Sequence, residues 1–269
     1  MELHVEAAGR GSAVVLLHAG VCDSRMWDPQ WDAVTAAHHA VRCDLRGYGR
    51  SPLPPGPYSH ARDLLALLGG RGIGRAALVA ASFSGRVALE AAVARPRLVD
   101  ALVLVDATLP DHPWSQEVRA FGAEEDAALE RGDLDGAVEA NLRTWVDGRR
   151  RDPGVVDPEV RERVRQMQRR AFELQLAAGE EADEEPLVAD VEQRLGEVGA
   201  PALVVVGEHD VADVHAIAER LARELPDARR VVIGGAAHLP SMERPGQFNE
   251  LLLGFLEDAG GRRAQRGST

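Results

Sequence analysis

A serine stands where a buried, strand-like run turns directly into a helical segment, in LVAASFSGRVALE at positions 78–90. The residues two before and two after it, Ala80 and Ser84, are small, as a sharp and strained strand-to-helix turn requires. The positive end of the helix dipole lies at this turn, and the N–H of Phe83 is placed to face an oxyanion that develops during attack on a carbonyl. We therefore predict Ser82 as a nucleophile. The alternatives are that Ser82 only caps the helix and that Ser84 is the nucleophile.

Two segments further along the chain supply the partners that such a serine needs. A hydroxyl is a poor nucleophile until a base takes its proton, and an imidazole base needs a carboxylate to fix its tautomer. The strand-like run PALVVVGEHD (201–210) ends at Asp210, and VVIGGAAHLPSMERP (231–245) is a strand-like run with a glycine-rich turn that delivers His238. We predict Asp210 as the acid and His238 as the general base, in the chain order Ser, Asp, His. The alternative for His238 is a buried structural histidine.

Other polar residues compete for these roles. Asp106 ends the strand-like run LVLVDAT and is the alternative acid. Glu208 and His209 directly precede Asp210 and are interpreted as turn residues. The segment CDLRGYGRS (43–51) contains an Asp and an Arg, but such loops commonly hold themselves together through bonds from side chain to backbone, so we expect a structural role.

The loop HAGVCDSRMWD (18–28) is rich in small residues at its start, where the backbone can approach a ligand closely. Gly20 is the candidate for a second oxyanion donor beside Phe83. His18 is expected to pack and to hydrogen bond within the loop instead of carrying a proton. Trp27, near the end of the loop, is predicted to form a wall of the substrate pocket.

Apolar, β-branched runs of strand length alternate with segments of helical spacing along the chain. The runs are AVVLLH (13–18), HAVRCDL (39–45), AALVAA (76–81), VDALVLV (99–105), PALVVV (201–206) and ARRVVI (228–233). The helical segments are 28–39, 60–70, 83–96 and 211–226. Continuous apolar runs indicate strands that are buried on both faces. The pattern predicts an α/β fold with a mostly parallel, doubly wound sheet whose functional loops lie at the carboxyl ends of the strands.

The alternation breaks in a charged, helix-favouring stretch at 109–200, which we interpret as a helical cap between two core segments, 1–108 and 201–260. A cap over the strand ends excludes water and shapes a pocket. Because aromatic residues make up only 4% of the chain, Trp145 is the candidate for the main apolar wall of that pocket. The alternatives are a helical subdomain without a catalytic role and a tryptophan that only packs the cap onto the sheet. The polar residues 261–269 are expected to form a flexible tail.

Composition limits the classes of partner. The 269 residues suit one domain with an insertion. A net charge of -12 repels nucleic acid and anionic membranes, which leaves a small-molecule substrate. Cys22 and Cys43 have neither a disulfide pattern nor metal-ligand spacing, so no metal site is expected. With no apolar run of membrane-spanning length and no signal-peptide pattern, we expect a cytoplasmic protein.

With these residues in place, the chain resembles the α/β-hydrolase superfamily of serine hydrolases over nearly its whole length. The blocks that carry the resemblance occur in family order: HAG (18–20), DLRGYGRS (44–51), SFSG (82–85), GEHD (207–210) and GAAH (235–238). Within the superfamily, the stretches MWDPQWDAV (26–34) and RGYGRSPLPPGPYS (46–59) are similar to 3-oxoadipate enol-lactonases and their relatives. Ala19, Ala80 and Ser84 stand where the family usually has glycine, but all are small enough to keep the geometry.

The resemblance implies a hydrolase that cleaves small esters or lactones without a cofactor. Rival hypotheses are a C–C bond hydrolase or a cofactor-free perhydrolase with the same triad, and a ligand-binding protein that does not turn its ligand over. The N-terminus begins almost at the second strand of the usual fold, so the outermost edge strand is expected to be short or missing. Association into a homodimer stays open.

Overall fold

The strands of this computed structural model, which describes residues 3–148, 151–179 and 182–266, form one main sheet and a small two-stranded ladder. In chain order the strands are β1 (Val5–Ala8), β2 (Ala13–Leu17), β3 (His39–Cys43), β4 (Gly56–Tyr58), β5 (Ala76–Ala81), β6 (Val99–Val105), β7 (Ala182–Glu184), β8 (Ala202–Gly207) and β9 (Ala228–Ile233). Within the described residues the main sheet has the order β1-β3-β2-β5-β6-β8-β9. Strand β1 runs antiparallel to β3, and the other neighbours are parallel. The predicted mostly parallel sheet is confirmed.

The α-helices cover both faces of this sheet. They are α1 (Asp28–Ala37), α2 (His60–Gly70), α3 (Ser84–Ala94), α4 (Gln116–Glu130), α5 (Leu134–Asn141), α6 (Pro158–Ala178), α7 (Ala212–Glu224), α8 (Pro240–Glu243) and α9 (Pro245–Arg266). Side chains alternate across a strand, so Leu78 of β5 faces the core under α2, α3 and α7, and Val79 faces the core under α1 and α9. Every residue of β5 and of β8 is buried, which explains why their sequences are continuously apolar.

The insertion is largely helical, as the sequence predicts. It contains helices α4, α5 and α6, and a π-helix over Leu142–Gly148 and a short 3-10 turn lie between α5 and α6. The side chains of Ser115, Asp133 and Asp157 cap the three α-helices by accepting backbone N–H groups of their first turns.

The boundaries of the insertion differ from those expected. Val188, Val191 and Leu195, which fall within 109–200, pack into the core together with α3 and not into the cap. Strand β7 pairs in parallel with β4, so the end of the insertion is also tied to the loop after β3. Helix α9 continues to Arg266, into the segment expected to be a flexible tail, and 267–269 lie outside the described residues.

Among the described residues, the helices are all too short or too polar to cross a lipid bilayer.

Candidate active site

Ser82 lies at the end of β5, in the turn that leads into α3. Its φ angle is +55°, a left-handed conformation that is costly for a residue with a side chain. The turn is held by two backbone bonds, from the Ser82 N–H to the Val105 carbonyl (2.8 Å) and from the Gly85 N–H to the Ser82 carbonyl (2.9 Å). A Cβ atom on Gly85 would lie 2.5 Å from the Cβ of Ala107, so this position requires glycine. The strained turn lifts the Ser82 hydroxyl out of the sheet.

A chain of hydrogen bonds joins the three residues that the sequence singles out. The Oγ of Ser82 lies 2.8 Å from Nε2 of His238, and Nδ1 of His238 lies 2.7 Å from Oδ2 of Asp210. The other carboxylate oxygen of Asp210 accepts the Val211 N–H at 2.7 Å. A carboxylate only accepts, so Nδ1 of His238 carries the proton and Nε2 is left to accept from the serine hydroxyl. This is the tautomer that a general base needs.

A second carboxyl group lies beside this chain. Asp106 follows β6 with a φ of +45° and is completely buried, and its Oδ1 accepts the Gly207 N–H at 2.8 Å. Side-chain ligand atoms of Asp106, Asp210 and His238 lie within 4.8 Å of one another. Burial, and then the adjacent Asp210, raise the pKa of Asp106 well above its ordinary value of 3.8. Burial therefore favours the neutral form of Asp106, and Asp210 is the residue whose carboxyl group bonds to His238.

The loop that contains Gly20 lies against Phe83, the residue after Ser82. Residues Ala19 to Cys22 form a tight turn, closed by a bond from the Cys22 N–H to the Ala19 carbonyl (2.9 Å). A Cβ atom on Gly20 would lie 3.5 Å from the Phe83 ring, so this loop is in contact with the turn at Ser82–Gly85, which we call the elbow. Neither the Gly20 nor the Phe83 N–H donates to another described residue, which leaves both free to bind an oxyanion.

Ser84 and His18 fix this loop to the elbow. The buried Ser84 hydroxyl donates to the His18 carbonyl at 2.5 Å. Nε2 of His18 accepts the Leu45 N–H at 3.0 Å, so Nδ1 carries the proton and donates to the Ala19 carbonyl at 2.9 Å. Burial lowers the pKa of His18 and keeps its ring neutral. His18 thus hydrogen bonds within this loop, and the Ser84 hydroxyl bonds to the His18 carbonyl and not to His238.

The loop 43–51 is held together by its own aspartate. The carboxylate of Asp44 accepts the N–H groups of Ser24 (2.8 Å) and Arg50 (2.9 Å). The Ser51 hydroxyl donates to the Asp44 carbonyl at 2.7 Å. These contacts support the structural interpretation of this loop.

A model of the Alpha/beta hydrolase family matches residues 14–251. The chain belongs to this family. A protein of Variovorax paradoxus named "Putative carbamate hydrolase RutD" is 32% identical, across 95% of this chain and 96% of its own length. A thermophilic esterase from Thermogutta terrifontis, solved with malate bound, is 26% identical with a TM-score of 0.76, covering 96% of this chain and 93% of that one. The enol-lactonase from Burkholderia xenovorans shares the fold, with a TM-score of 0.77 at 24% identity over 95% of this chain and 96% of that chain.

The cap of this α/β hydrolase reaches the active site through its π-helix. The indole of Trp145 packs against the His238 ring, with centroids 4.6 Å apart, and its other neighbour is the Phe121 ring at 5.3 Å. The His238 N–H also donates to the Trp145 carbonyl at 3.3 Å. Trp145 therefore lies beside His238, and its role as a pocket wall stays a prediction.

Trp27 lies elsewhere. Its indole is completely buried and packs against Phe248 of α9, with ring centroids 6.1 Å apart. This placement in the core argues against the predicted role of Trp27 as a pocket wall. For an aromatic residue at the end of a loop of small residues, the sequence does not distinguish packing in the core from lining a substrate pocket.

Sequence reasoning missed a cluster of aromatic rings on the other side of the elbow. Tyr48 stacks on Phe83 with ring centroids 5.5 Å apart, and His60 meets Phe83 edge to face at 5.6 Å. The Tyr48 hydroxyl lies 3.8 Å from the position of a Cβ on Gly20. Tyr48 lies in the loop after β3 and His60 begins α2, so neither is marked as a site residue by local spacing.

Proposed function

We propose that this α/β hydrolase cleaves small carboxylic esters or lactones through an acyl-enzyme on Ser82. The observation that supports the proposal best is the hydrogen-bonded chain from Ser82 through His238 to Asp210. A serine, a correctly oriented imidazole and a buried carboxylate are the parts that acyl transfer requires.

The proposed reaction has two halves. Ser82 Oγ attacks the carbonyl carbon and its proton passes to Nε2 of His238, while the N–H groups of Gly20 and Phe83 bind the oxyanion. When the tetrahedral intermediate collapses, His238 gives this proton to the leaving alcohol oxygen and the acyl group stays on Ser82. Water then attacks the acyl-enzyme by the same steps, and the acid is released. Asp210 remains ionised throughout and stabilises the imidazolium.

The substrate class is supported by the character of the relatives. The Thermogutta terrifontis protein is an esterase, and the sequence motifs are similar to those of enol-lactonases. A second candidate is carbamate hydrolysis, which the full-length similarity to the Variovorax paradoxus protein favours. Attack on a carbamate carbonyl uses the same nucleophile and oxyanion site, so rates on matched esters, lactones and carbamates with one acyl chain length decide between them.

The nucleophile is tested with a fluorophosphonate probe and peptide mapping. We expect one label, on Ser82, and we expect Ser82→Ala to lose both label and activity while its melting temperature changes little. The matched control is Ser84→Ala, which should keep the label on Ser82. Label on another residue, or activity in Ser82→Ala, would refute the acyl-enzyme proposal.

The rival hypotheses give different results in the same screen. A C–C bond hydrolase would cleave a diketone and leave simple esters intact, and a perhydrolase would form peracid from hydrogen peroxide and a carboxylic acid. A protein that only binds its ligand would show tight binding without turnover and no burst of product.

A cytoplasmic enzyme with a small-molecule substrate, and without nucleic acid or membrane partners, completes the proposal. The net charge of -12 supports the partner part because it repels polyanions. Cell fractionation tests the location, and light scattering on the purified chain distinguishes a monomer from a homodimer.

A further inference from the structure

Arg151 joins the cap to the loop that carries His238. Its guanidinium donates to two carbonyls at the end of the π-helix, those of Val146 and Asp147, each at 2.6 Å. The same guanidinium donates to the Gly235 carbonyl at 2.9 Å and to the carboxylate of Glu243. One side chain thus bonds both to the cap and to the segment around His238.

Glu243 extends this connection to the residue before the histidine. Its second carboxylate oxygen accepts the Ala237 N–H at 2.9 Å, directly next to His238. The side chains of Arg151 and Glu243 are only 5% and 4% exposed. Burial removes water from both charges at a high free-energy cost, so a buried ion pair needs hydrogen bonds to its remaining donors and acceptors. Arg151 and Glu243 have such bonds to backbone groups.

The cap backbone also touches both loops of the site. Gly148 ends the π-helix with a φ of +73°. A Cβ atom here would lie 3.1 Å from the Cβ of Ala237 and 3.3 Å from the His209 carbonyl. These two residues directly precede His238 and Asp210, so the end of the π-helix packs against the segments that carry the base and the acid.

The chemistry of this position requires arginine. The last carbonyls of a helix have no partner within the helix, and a π-helix at a functional site often presents such groups. A planar guanidinium has five N–H donors in a fixed fork, which is enough for three carbonyls and a carboxylate. A lysine ammonium has three donors and cannot make the same set of bonds.

We propose that Arg151 is a positioning residue for the base: it holds the His238 loop against the π-helix of the cap, so that Nε2 stays within reach of Ser82. The proposal rests on the proposed function of His238. Arg151 touches no reacting atom, and it acts through Gly235, Glu243 and the backbone at Ala237.

The test compares a neutral double variant with a matched arginine of the cap. In Arg151→Met/Glu243→Gln no buried charge is left unpaired, and the introduced amide keeps an acceptor for the Ala237 N–H. We expect kcat on a reactive ester to fall about 10- to 100-fold, as for misplacement of a catalytic group by about 1 Å, with little change in KM. Arg151→Lys, which can make part of the bonds, should lose less.

Arg161→Met is the control. Arg161 bonds to the carboxylates of Asp147 and Glu139, so its described ion-pair partners lie in the cap and not in the His238 loop. This variant should lower the melting temperature by weakening the cap but keep kcat close to that of the parent.

A second measurement separates this proposal from the proposed function. The proton between Nδ1 of His238 and Asp210 gives a downfield proton NMR signal, which should shift or broaden in the Arg151 variants and stay in Arg161→Met. Parent-like kcat and an unchanged signal in the Arg151 variants would overturn the proposal, as would an equal kcat loss in Arg161→Met. If Ser82→Ala were active, the proposed function would fail, and the NMR signal would still decide whether Arg151 positions His238.

Discussion

The indole of Trp145 lies against the imidazole of His238, and the Trp145 carbonyl accepts the N–H of the same histidine. One residue of the cap therefore restrains both the ring and the backbone of His238. In addition, Trp145 packs against the cores on both faces of the sheet. Trp145 and His238 are thus packed against each other, and substitutions of Trp145 should be felt in the chemistry.

Replacing Trp145 tests whether it forms the acyl pocket. We expect Trp145→Ala to change KM and the preference among acyl chain lengths far more than the melting temperature, because the indole is only half-buried and faces His238. Trp145→Phe keeps a ring against His238, so its KM and its preference among acyl chains should lie between those of the parent and of Trp145→Ala. Rates on a series of p-nitrophenyl esters measure this. An equal loss on every ester, together with a large drop in melting temperature, would assign Trp145 to the core.

The choice of acid is tested by two isosteric substitutions. Asp210→Asn should lower kcat by about four orders of magnitude, because an amide favours the wrong tautomer of His238. Asp106→Asn should cost much less, since an amide replaces a neutral carboxyl group and keeps an acceptor for the Gly207 N–H. Steady-state kinetics on both variants give the answer. The reverse order of effects would place the acid at Asp106.

The raised pKa of Asp106 also predicts how stability depends on pH. In the unfolded chain Asp106 has its ordinary pKa of 3.8, whereas burial and Asp210 hold its pKa well above that value in the folded protein. Unfolding therefore releases a proton in this window, and the contribution of Asp106 to the free energy of unfolding falls as pH rises from about 4. Asp106→Asn has no proton to release, so its stability relative to the parent should increase with pH. Urea unfolding at several pH values measures this, and a difference independent of pH would contradict it.

His60 predicts the opposite dependence. Burial, with smaller effects of neighbouring positive charges, lowers the pKa of His60 from 6.5 to about 3. The unfolded chain takes up a proton below about pH 6.5 and the folded protein does not, so stability is lost as pH falls from there toward 3. His60→Phe keeps a ring against Phe83 and should show a flatter acid limb in urea unfolding. NMR resonances of the His60 ring that titrate between about pH 5 and 8 would refute this prediction.

The sheet and the proximity of Ser82, Asp210 and His238 could be predicted because their signals are local. Strands such as β5 and β8 are apolar on both faces, and Ser82 and Asp210 each follow one of them. His238 follows β9, the partly exposed strand at the end of the sheet. Strands β4 and β7 were missed because each has three residues that are at most half-buried, and they exist only by pairing with each other across the insertion.

The contacts that complete the site could not be predicted in this way. Arg151 bonds mainly to backbone carbonyls, which every residue offers, so no spacing of residue types marks it. Trp27 and Trp145 are both isolated tryptophans in the sequence, and only the packing shows that the first lies against Phe248 and the second against His238. Tertiary contacts, and not local patterns, decide these roles.

Ser84 stands where the family usually has glycine. Its hydroxyl donates to the buried His18 carbonyl at 2.5 Å and so ties the elbow to the loop that presents the Gly20 N–H. Ser84→Ala leaves that carbonyl without this donor, which should lower the free energy of unfolding by about 1–3 kcal/mol.

The same substitution should also affect the oxyanion site. A loosened Gly20 N–H weakens binding of the tetrahedral intermediate more than binding of the substrate, so kcat should fall while KM changes little. The fall in kcat should be smaller than the roughly 100- to 1,000-fold loss that is typical of removing a donor outright. Because Ser82 keeps its bond to His238, a fluorophosphonate probe should still label it. Steady-state kinetics and urea unfolding of Ser84→Ala and Ser84→Gly measure both effects. A loss of stability with parent-like kcat would show that the bond to His18 supports the fold but does not align the oxyanion donor.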